Sequence, residues 1–217
     1  MKFDTVIFDL DGTLTDTVED LKNSVNYALR KFSFPERTSD EIRRFAGNGV
    51  ARLVALSVPE GTDDETTEAV LEAFRPYYKE HSLDNTAPYD GVIPLMAKLR
   101  DAGIKMAVVS NKMHPATVDI VSHFFGDYIK VAIGQSETVA RKPAPDSVFK
   151  AAEILGSDLK NAVYIGDSEV DCATAKNSGI PVIGVCWGFR GRKVLEENNA
   201  DYIVDSPDEI PGIIGIE

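Results

Sequence analysis

Asp9 and Asp11 stand two residues apart in the segment VIFDLDGTLTDT, where the apolar run 6–8 ends. Carboxylates at the mouth of a buried strand resist desolvation unless a metal, a cation or hydrogen bonds compensate them. Other short apolar runs end in the same manner. Ser110 and Asn111 follow MAVV, Asp167, Ser168 and Asp171 follow VYIG, and Lys142 lies on the loop after VAIGQ. In an open parallel sheet, ligands bind outside the carboxyl ends of the strands, so segments far apart in sequence would meet along one edge. Three acidic positions around a hard cation, with room left for water, describe a Mg²⁺ site rather than a calcium cage. The competing reading of an acid or hydroxyl after a strand, for Asp167 and Ser168 above all, is a plain helix N-cap.

The elements that must position these residues are legible as a repeated alternation. Apolar, β-branched runs at 5–10, 105–110, 131–135, 162–167, 181–185 and 201–204 are separated by stretches of helical periodicity. Near-continuous apolar strands between helices imply a parallel sheet covered on both faces, a Rossmann-like doubly wound α/β core. Gly103, Gly156 and Gly179 each precede a strand and are placed to cap the helix before it. Residues 16–86 break the alternation and show helical periodicity alone, in DTVEDLKNSVNYALRKF, DEIRRFAGNGVARLVAL and DDETTEAVLEAFRPYYKEH. Thr38 and Glu41 form a candidate capping box for the middle helix. This predicts an inserted all-α domain at 16–86 within a core made of 1–15 and 87–217, and its place directly after the two aspartates suggests a mobile cap.

Composition narrows the partners. The 217 residues, 43% of them hydrophobic, suffice for a full core. A formal charge of −12 argues against nucleic acid, whose phosphates are bound through clustered Lys and Arg, so an anionic ligand would need locally placed cations. No apolar stretch reaches membrane-spanning length, and acids interrupt the first residues where a signal peptide would be apolar, so the expected location is cytoplasmic. Cys172 and Cys186 fit no CxxC pattern and are expected to pack. His81, His114 and His123 share no metal-ligand spacing, and GNGVAR and GFRGRK match neither dinucleotide nor P-loop fingerprints. Monomer and homodimer are both compatible with the pattern.

DLDGT, VSNK, RKPAPD and GDSEVD, in this order and each after a strand, resemble the four motifs of the haloacid dehalogenase superfamily of phosphohydrolases. FAGNGVARLV and VIGVCWGFRGRKVLEENNADYIVDSPDEI are similar to its phosphoglycolate phosphatase-like members, and the insertion is similar to the family's four-helix cap. The resemblance implies a Mg²⁺-dependent phosphatase for a small phosphorylated metabolite, with 2-phosphoglycolate as the first candidate. Asp9 would be the nucleophile that forms an aspartyl-phosphate, and Asp11 the acid and base for the leaving oxygen and for water. Gly12, Ser110 and Asn111 would hold phosphate, and Lys142 would balance charge. Asp9, the Asp11 carbonyl and Asp167 would ligate Mg²⁺, with Asp171 as a ligand or orienting neighbour. Asn48, between Gly47 and Gly49, is a candidate substrate contact from the cap.

Rival readings are a β-phosphoglucomutase-like mutase or a pyrophosphatase of the same superfamily. A phosphate-accepting receiver module also pairs an aspartate with Mg²⁺, a hydroxyl and a lysine, but needs neither Asp11 nor the insertion.

Overall fold

The computed structural model describes residues 2–216. In chain order it contains β1 (Thr5–Phe8), β2 (Thr15–Asp16), α1 (Val18–Lys31), α2 (Ser39–Phe45), α3 (Val50–Ser57), α4 (Asp64–His81), β3 (Ala87–Pro88), α5 (Val92–Asp101), β4 (Lys105–Met113) and α6 (His114–Phe125). There follow β5 (Val131–Gln135), α7 (Asp146–Leu155), β6 (Ala162–Gly166), α8 (Glu169–Ser178), β7 (Val182–Val185), α9 (Arg192–Glu197), β8 (Tyr202–Val204) and α10 (Ile210–Ile214). The chain divides into two compact units, one of residues up to 15 and from 88 onward, the other of residues 16–87. The short strands β2 and β3 pair where the chain passes between them.

The larger unit is built on a six-stranded sheet in the order β5-β4-β1-β6-β7-β8. Its pairings are parallel, with Phe8 level with Val108 on one side and with Ile165 on the other. Neighbours in sequence lie outward on both sides of β1, so the order reverses between β1 and β6 and leaves a crevice at their carboxyl ends. Alternate residues of each central strand feed opposite faces. Val6, Phe8, Met106, Val108, Val163 and Ile165 pack with α5, α6 and α10, whereas Ile7, Ala107, Val109 and Tyr164 pack with α7, α8 and α9. With both faces covered, the strands must be apolar almost throughout, which is why they stand out in the sequence.

Strand β4 runs three residues beyond the expected Ser110, and its register with β5 shifts between Val109 and Met113. Ser110, Asn111 and Lys112 therefore lie on the irregular end of a strand rather than on a loop. Gly103, Gly156 and Gly179 all take positive φ at the ends of helices α5, α7 and α8, as cap positions require.

The smaller unit contains α1 to α4. Leu21, Val25, Ala28 and Leu29 of α1 are buried, as are Val70, Leu71, Phe74 and Tyr78 of α4, and Tyr27 stacks on Tyr77 with centroids 3.9 Å apart. Buried Asp20 accepts hydrogen bonds from the Asn85 and Thr86 backbone and side chains, which ties the end of the insertion to its first helix. Thr38 and Glu41 make the expected capping box. The periodic stretch 40–56 forms α2 and α3, and Gly47 and Gly49, which interrupt its pattern in the sequence, take φ of 99° and 79° in the turn between them.

Candidate active site

The crevice between β1 and β6 receives the first residue beyond each strand. Asp9 follows β1, Asp167 follows β6, and Asp171 comes from the first turn of α8; each offers an oxygen within 4.8 Å of the others, and all three are buried. Lys142 reaches the same place from the loop after β5. Its Nζ donates to Asp9 Oδ1 at 2.7 Å, to Asp171 Oδ1 at 2.8 Å and to the Tyr164 hydroxyl at 2.9 Å. The Val109 carbonyl is a fourth, more distant acceptor at 3.4 Å, so the three protons of the ammonium are fully engaged. The Tyr164 hydroxyl in turn donates to Asp171 Oδ1 at 3.1 Å.

Asp171 is filled from the other side as well. Ser168 caps α8 and, in a reciprocal capping box, its backbone N–H and hydroxyl donate to Asp171 Oδ2 at 3.1 and 2.6 Å. The N-cap reading of Ser168 is therefore correct, and the cap itself fixes the carboxylate that grips Lys142. Asp167 accepts the Phe189 N–H on Oδ2 at 2.6 Å and the Thr13 hydroxyl on Oδ1 at 3.4 Å. Gly12 turns the chain at φ 91° against Asp167, where a Cβ would lie 2.7 Å from Oδ2.

Electrostatics follow from burial and count. Burial, reinforced by Asp171, raises Asp9 to about 7, and burial with Asp171 and Asp9 raises Asp167 well above the usual carboxylate range. Burial acts on Lys142 in the opposite sense, but Asp171 and Asp9 outweigh it and hold the ammonium well above its ordinary value. Three carboxylates face one ammonium, so the cluster is short of positive charge. A hard divalent cation with oxygen preference fits that deficit and donor set.

Beside this cluster, Asn111 Nδ2 donates to the Lys142 carbonyl at 3.2 Å, and Ser110 Oγ accepts the Lys112 N–H at 3.1 Å. Thus Asp9, Asp11, Gly12, Ser110, Asn111, Lys142, Asp167 and Asp171 all belong to the α/β unit, at the ends of its strands or in the loop and helix that follow them, while Asn48 lies in the helical unit on the turn between α2 and α3. Two polar residues in the cluster are absent from the sequence-based expectation. Tyr164 reads as one more apolar strand residue in AVYIGD, and Lys112, whose Nζ donates to both Asp11 oxygens at 2.9 and 3.1 Å, contacts a residue 101 positions away. The histidines serve locally: His81 bonds Asp84 and His114 accepts the Gly134 N–H. Trp187 is half-buried and donates to the Thr13 carbonyl at 3.0 Å.

A doubly wound parallel sheet with a buried carboxylate and lysine cluster at its switch point defines an α/β enzyme core. The family model described as haloacid dehalogenase-like hydrolase matches residues 6–185, and the chain belongs to that family. It is 33% identical to a phosphoglycolate phosphatase of Caulobacter vibrioides, over 95% of this chain and 89% of that one. It is 32% identical to a phosphoglycolate phosphatase of Pseudomonas savastanoi pv. phaseolicola, over 98% of this chain and 80% of that one. A crystal structure from Lactobacillus delbrueckii subsp. bulgaricus, provisionally assigned as a phosphoglycolate phosphatase, superposes with a TM-score of 0.94 at 36% identity, covering 99% of both chains. The protein is accordingly an enzyme, a hydrolase of the phosphatase kind. Among the described residues no helix is long and apolar enough to cross a membrane.

Proposed function

We propose that this enzyme hydrolyses a small phosphomonoester by way of a phosphorylated Asp9, with Mg²⁺ as cofactor and 2-phosphoglycolate as the preferred substrate. The observation that carries the reading is the buried knot in which Lys142 is locked between Asp9 and Asp171 while Asp9 Oδ2 accepts no hydrogen bond from the described residues. Lys142 orients one oxygen of Asp9 and leaves the carboxylate in place to attack. Mg²⁺ would neutralise the repulsion between that carboxylate and an arriving phosphate dianion.

Asp9, Asp167 and the Asp11 carbonyl are the groups suited to hold the metal. Asp171 is less suited, because Lys142, Tyr164 and two Ser168 donors already occupy its lone pairs, so its role is to position Lys142. In the first half-reaction an Asp9 oxygen bonds to phosphorus as the ester oxygen departs, and Asp11 gives that oxygen a proton. In the second, Asp11 takes a proton from the water that attacks phosphorus, and the Asp9 carboxylate is regenerated. Ser110 and Asn111, on the irregular end of β4, are placed to donate to phosphoryl oxygens, and the Gly12 turn permits close backbone approach.

The helical unit is assigned the part of a substrate-selecting cap, with Asn48 as a contact. The chain leaves the α/β unit only a few residues after Asp11, which supports this role.

The test is phosphate release from a panel of 2-phosphoglycolate, sugar phosphates, other small esters and pyrophosphate, with Mg²⁺ or with chelator. Chelator-sensitive release concentrated on 2-phosphoglycolate is expected. Metal-independent release would overturn the cofactor, preference for another member would change the substrate, and no release from any would overturn the hydrolytic reading.

A further inference from the structure

Lys112 is the buried cation that the reaction above leaves without a task. Its side chain is 3% exposed and that of Asp11 16%, so their ion pair is largely withdrawn from water. Both Asp11 oxygens accept from the one Nζ, at 2.9 and 3.1 Å, and an ionised carboxylate held this way faces the lysine rather than a leaving oxygen. Lys112 is itself well anchored. Its N–H is bonded to Ser110 Oγ, and its carbonyl accepts from Thr117 Oγ1 at 3.3 Å. It also directly follows the two residues assigned to phosphate. A cation fixed beside the phosphate pocket of a protein with net charge −12, and covered by a carboxylate, has the properties of a masked anion receptor.

We propose that Lys112 is a specificity-determining residue that receives a carboxylate carried by the substrate itself, and that Asp11 occupies its place until the substrate arrives. The inference rests on the phosphatase reading and deepens it. The exchange is one ion pair for another. The substrate carboxylate accepts the hydrogen bonds of Nζ, and the released Asp11 carboxylate takes up a proton from solvent and turns toward the ester oxygen that is to receive it. A phosphomonoester without an acidic group leaves the Asp11–Lys112 pair intact, so Asp11 must break it unaided. Substrate selection is thereby linked to readiness of the acid-base group, and the preferred class is short phosphomonoesters with a carboxylate near the ester carbon.

The experiment compares 2-phosphoglycolate with ethyl phosphate, in which a methyl group replaces the carboxylate, using the wild type, Lys112→Met and Lys112→Arg in the presence of Mg²⁺. Charged hydrogen bonds of this kind are worth roughly ten- to hundredfold in affinity. The wild type should favour 2-phosphoglycolate, Lys112→Met should reduce that preference by about this factor, chiefly through KM, and Lys112→Arg should restore part of it. An active wild type whose Lys112→Met variant loses both esters equally, or keeps its preference, would overturn the inference while leaving the phosphatase reading standing. A wild type inactive on both esters would overturn the two together. Calorimetry on wild type and Asp11→Asn with chelator in place of Mg²⁺, so that neither protein turns the ester over, gives a second readout that does not require Lys112 to be replaced. Removing the covering carboxylate should widen the affinity ratio between the two esters relative to wild type, and an unchanged or narrower ratio would also overturn the proposal.

Discussion

At the scale of single residues, chemistry depends on which lone pairs and protons remain uncommitted. Asp9 keeps one oxygen outside the hydrogen-bond network, whereas Asp171 keeps none, so two carboxylates on the same lysine have different capacities. On the proposed mechanism Asp9→Asn removes the nucleophile and should cut turnover by at least about a thousandfold in a single-turnover phosphate assay. Asp11→Asn should retain Mg²⁺ binding and, with an aryl phosphate whose leaving oxygen needs no proton, accumulate phosphorylated protein detectable by mass spectrometry; accumulation on Asp9→Asn instead would reverse the two roles. Tyr164 offers a subtler test. Its hydroxyl accepts from Lys142 and donates to Asp171, so Tyr164→Phe leaves both buried groups one partner short at about 1–3 kcal/mol. The variant should unfold at lower denaturant and lose turnover about tenfold through kcat, with KM little changed, because Lys142 is displaced rather than removed. Equal loss in KM would instead place Tyr164 in substrate binding.

At the scale of elements, the site is a product of where strands stop. The six sheet strands were readable because burial on both faces demands continuous apolar runs, and the polar residues that end them are the ones the fold gathers between β1 and β6. What escaped were contacts created by tertiary proximity alone. A tyrosine inside an apolar strand and a lysine two residues past a serine carry no periodic mark of their partners, which lie on other segments. The extension of β4 to Met113 was equally hidden, since SNK is polar and reads as loop, yet the irregular pairing with β5 keeps it in the strand. Gly12 shows how tightly one element end is specified. Gly12→Ala meets both a positive φ, costing about 1–2 kcal/mol, and Asp167 Oδ2 at 2.7 Å, while that oxygen is pinned by the Phe189 N–H. The Asp167 carboxylate can make room only by straining or giving up its bond to the Phe189 N–H, so it is displaced from its place in the cluster. The variant should fold with reduced stability and require about tenfold more Mg²⁺ for half-maximal activity; an unaltered Mg²⁺ requirement would show that the Asp167 position does not govern the metal.

At the scale of the whole molecule, burial of like charges makes stability depend jointly on proton and metal. Asp9 is raised to about 7 from an ordinary 3.8, and Asp167 moves in the same direction, both chiefly through burial. Between those two values the folded state of Asp9 binds more protons than the unfolded state, so its contribution is most favourable at low pH and is lost as pH rises through the window. The metal-free protein should therefore lose stability from this cluster between roughly pH 4 and 7, against the gain that paired surface acids such as Glu41 and Asp63 bring as they ionise. A divalent cation requires the deprotonated carboxylates and competes with the protons. At pH 8, Mg²⁺ at about a hundred times its dissociation constant should stabilise the fold by about 2.7 kcal/mol, a rise of roughly 5–10 °C in unfolding midpoint, and the rise should shrink toward zero at pH 5. Asp167→Asn makes the sign of the argument visible. It removes one buried charge, so the metal-free variant should melt above the metal-free wild type at pH 8, yet gain little from Mg²⁺. A wild-type Mg²⁺ response of equal size at pH 5 and pH 8 would mean that the cation acts elsewhere on the acidic surface, because only the buried cluster couples metal affinity to protons across that range.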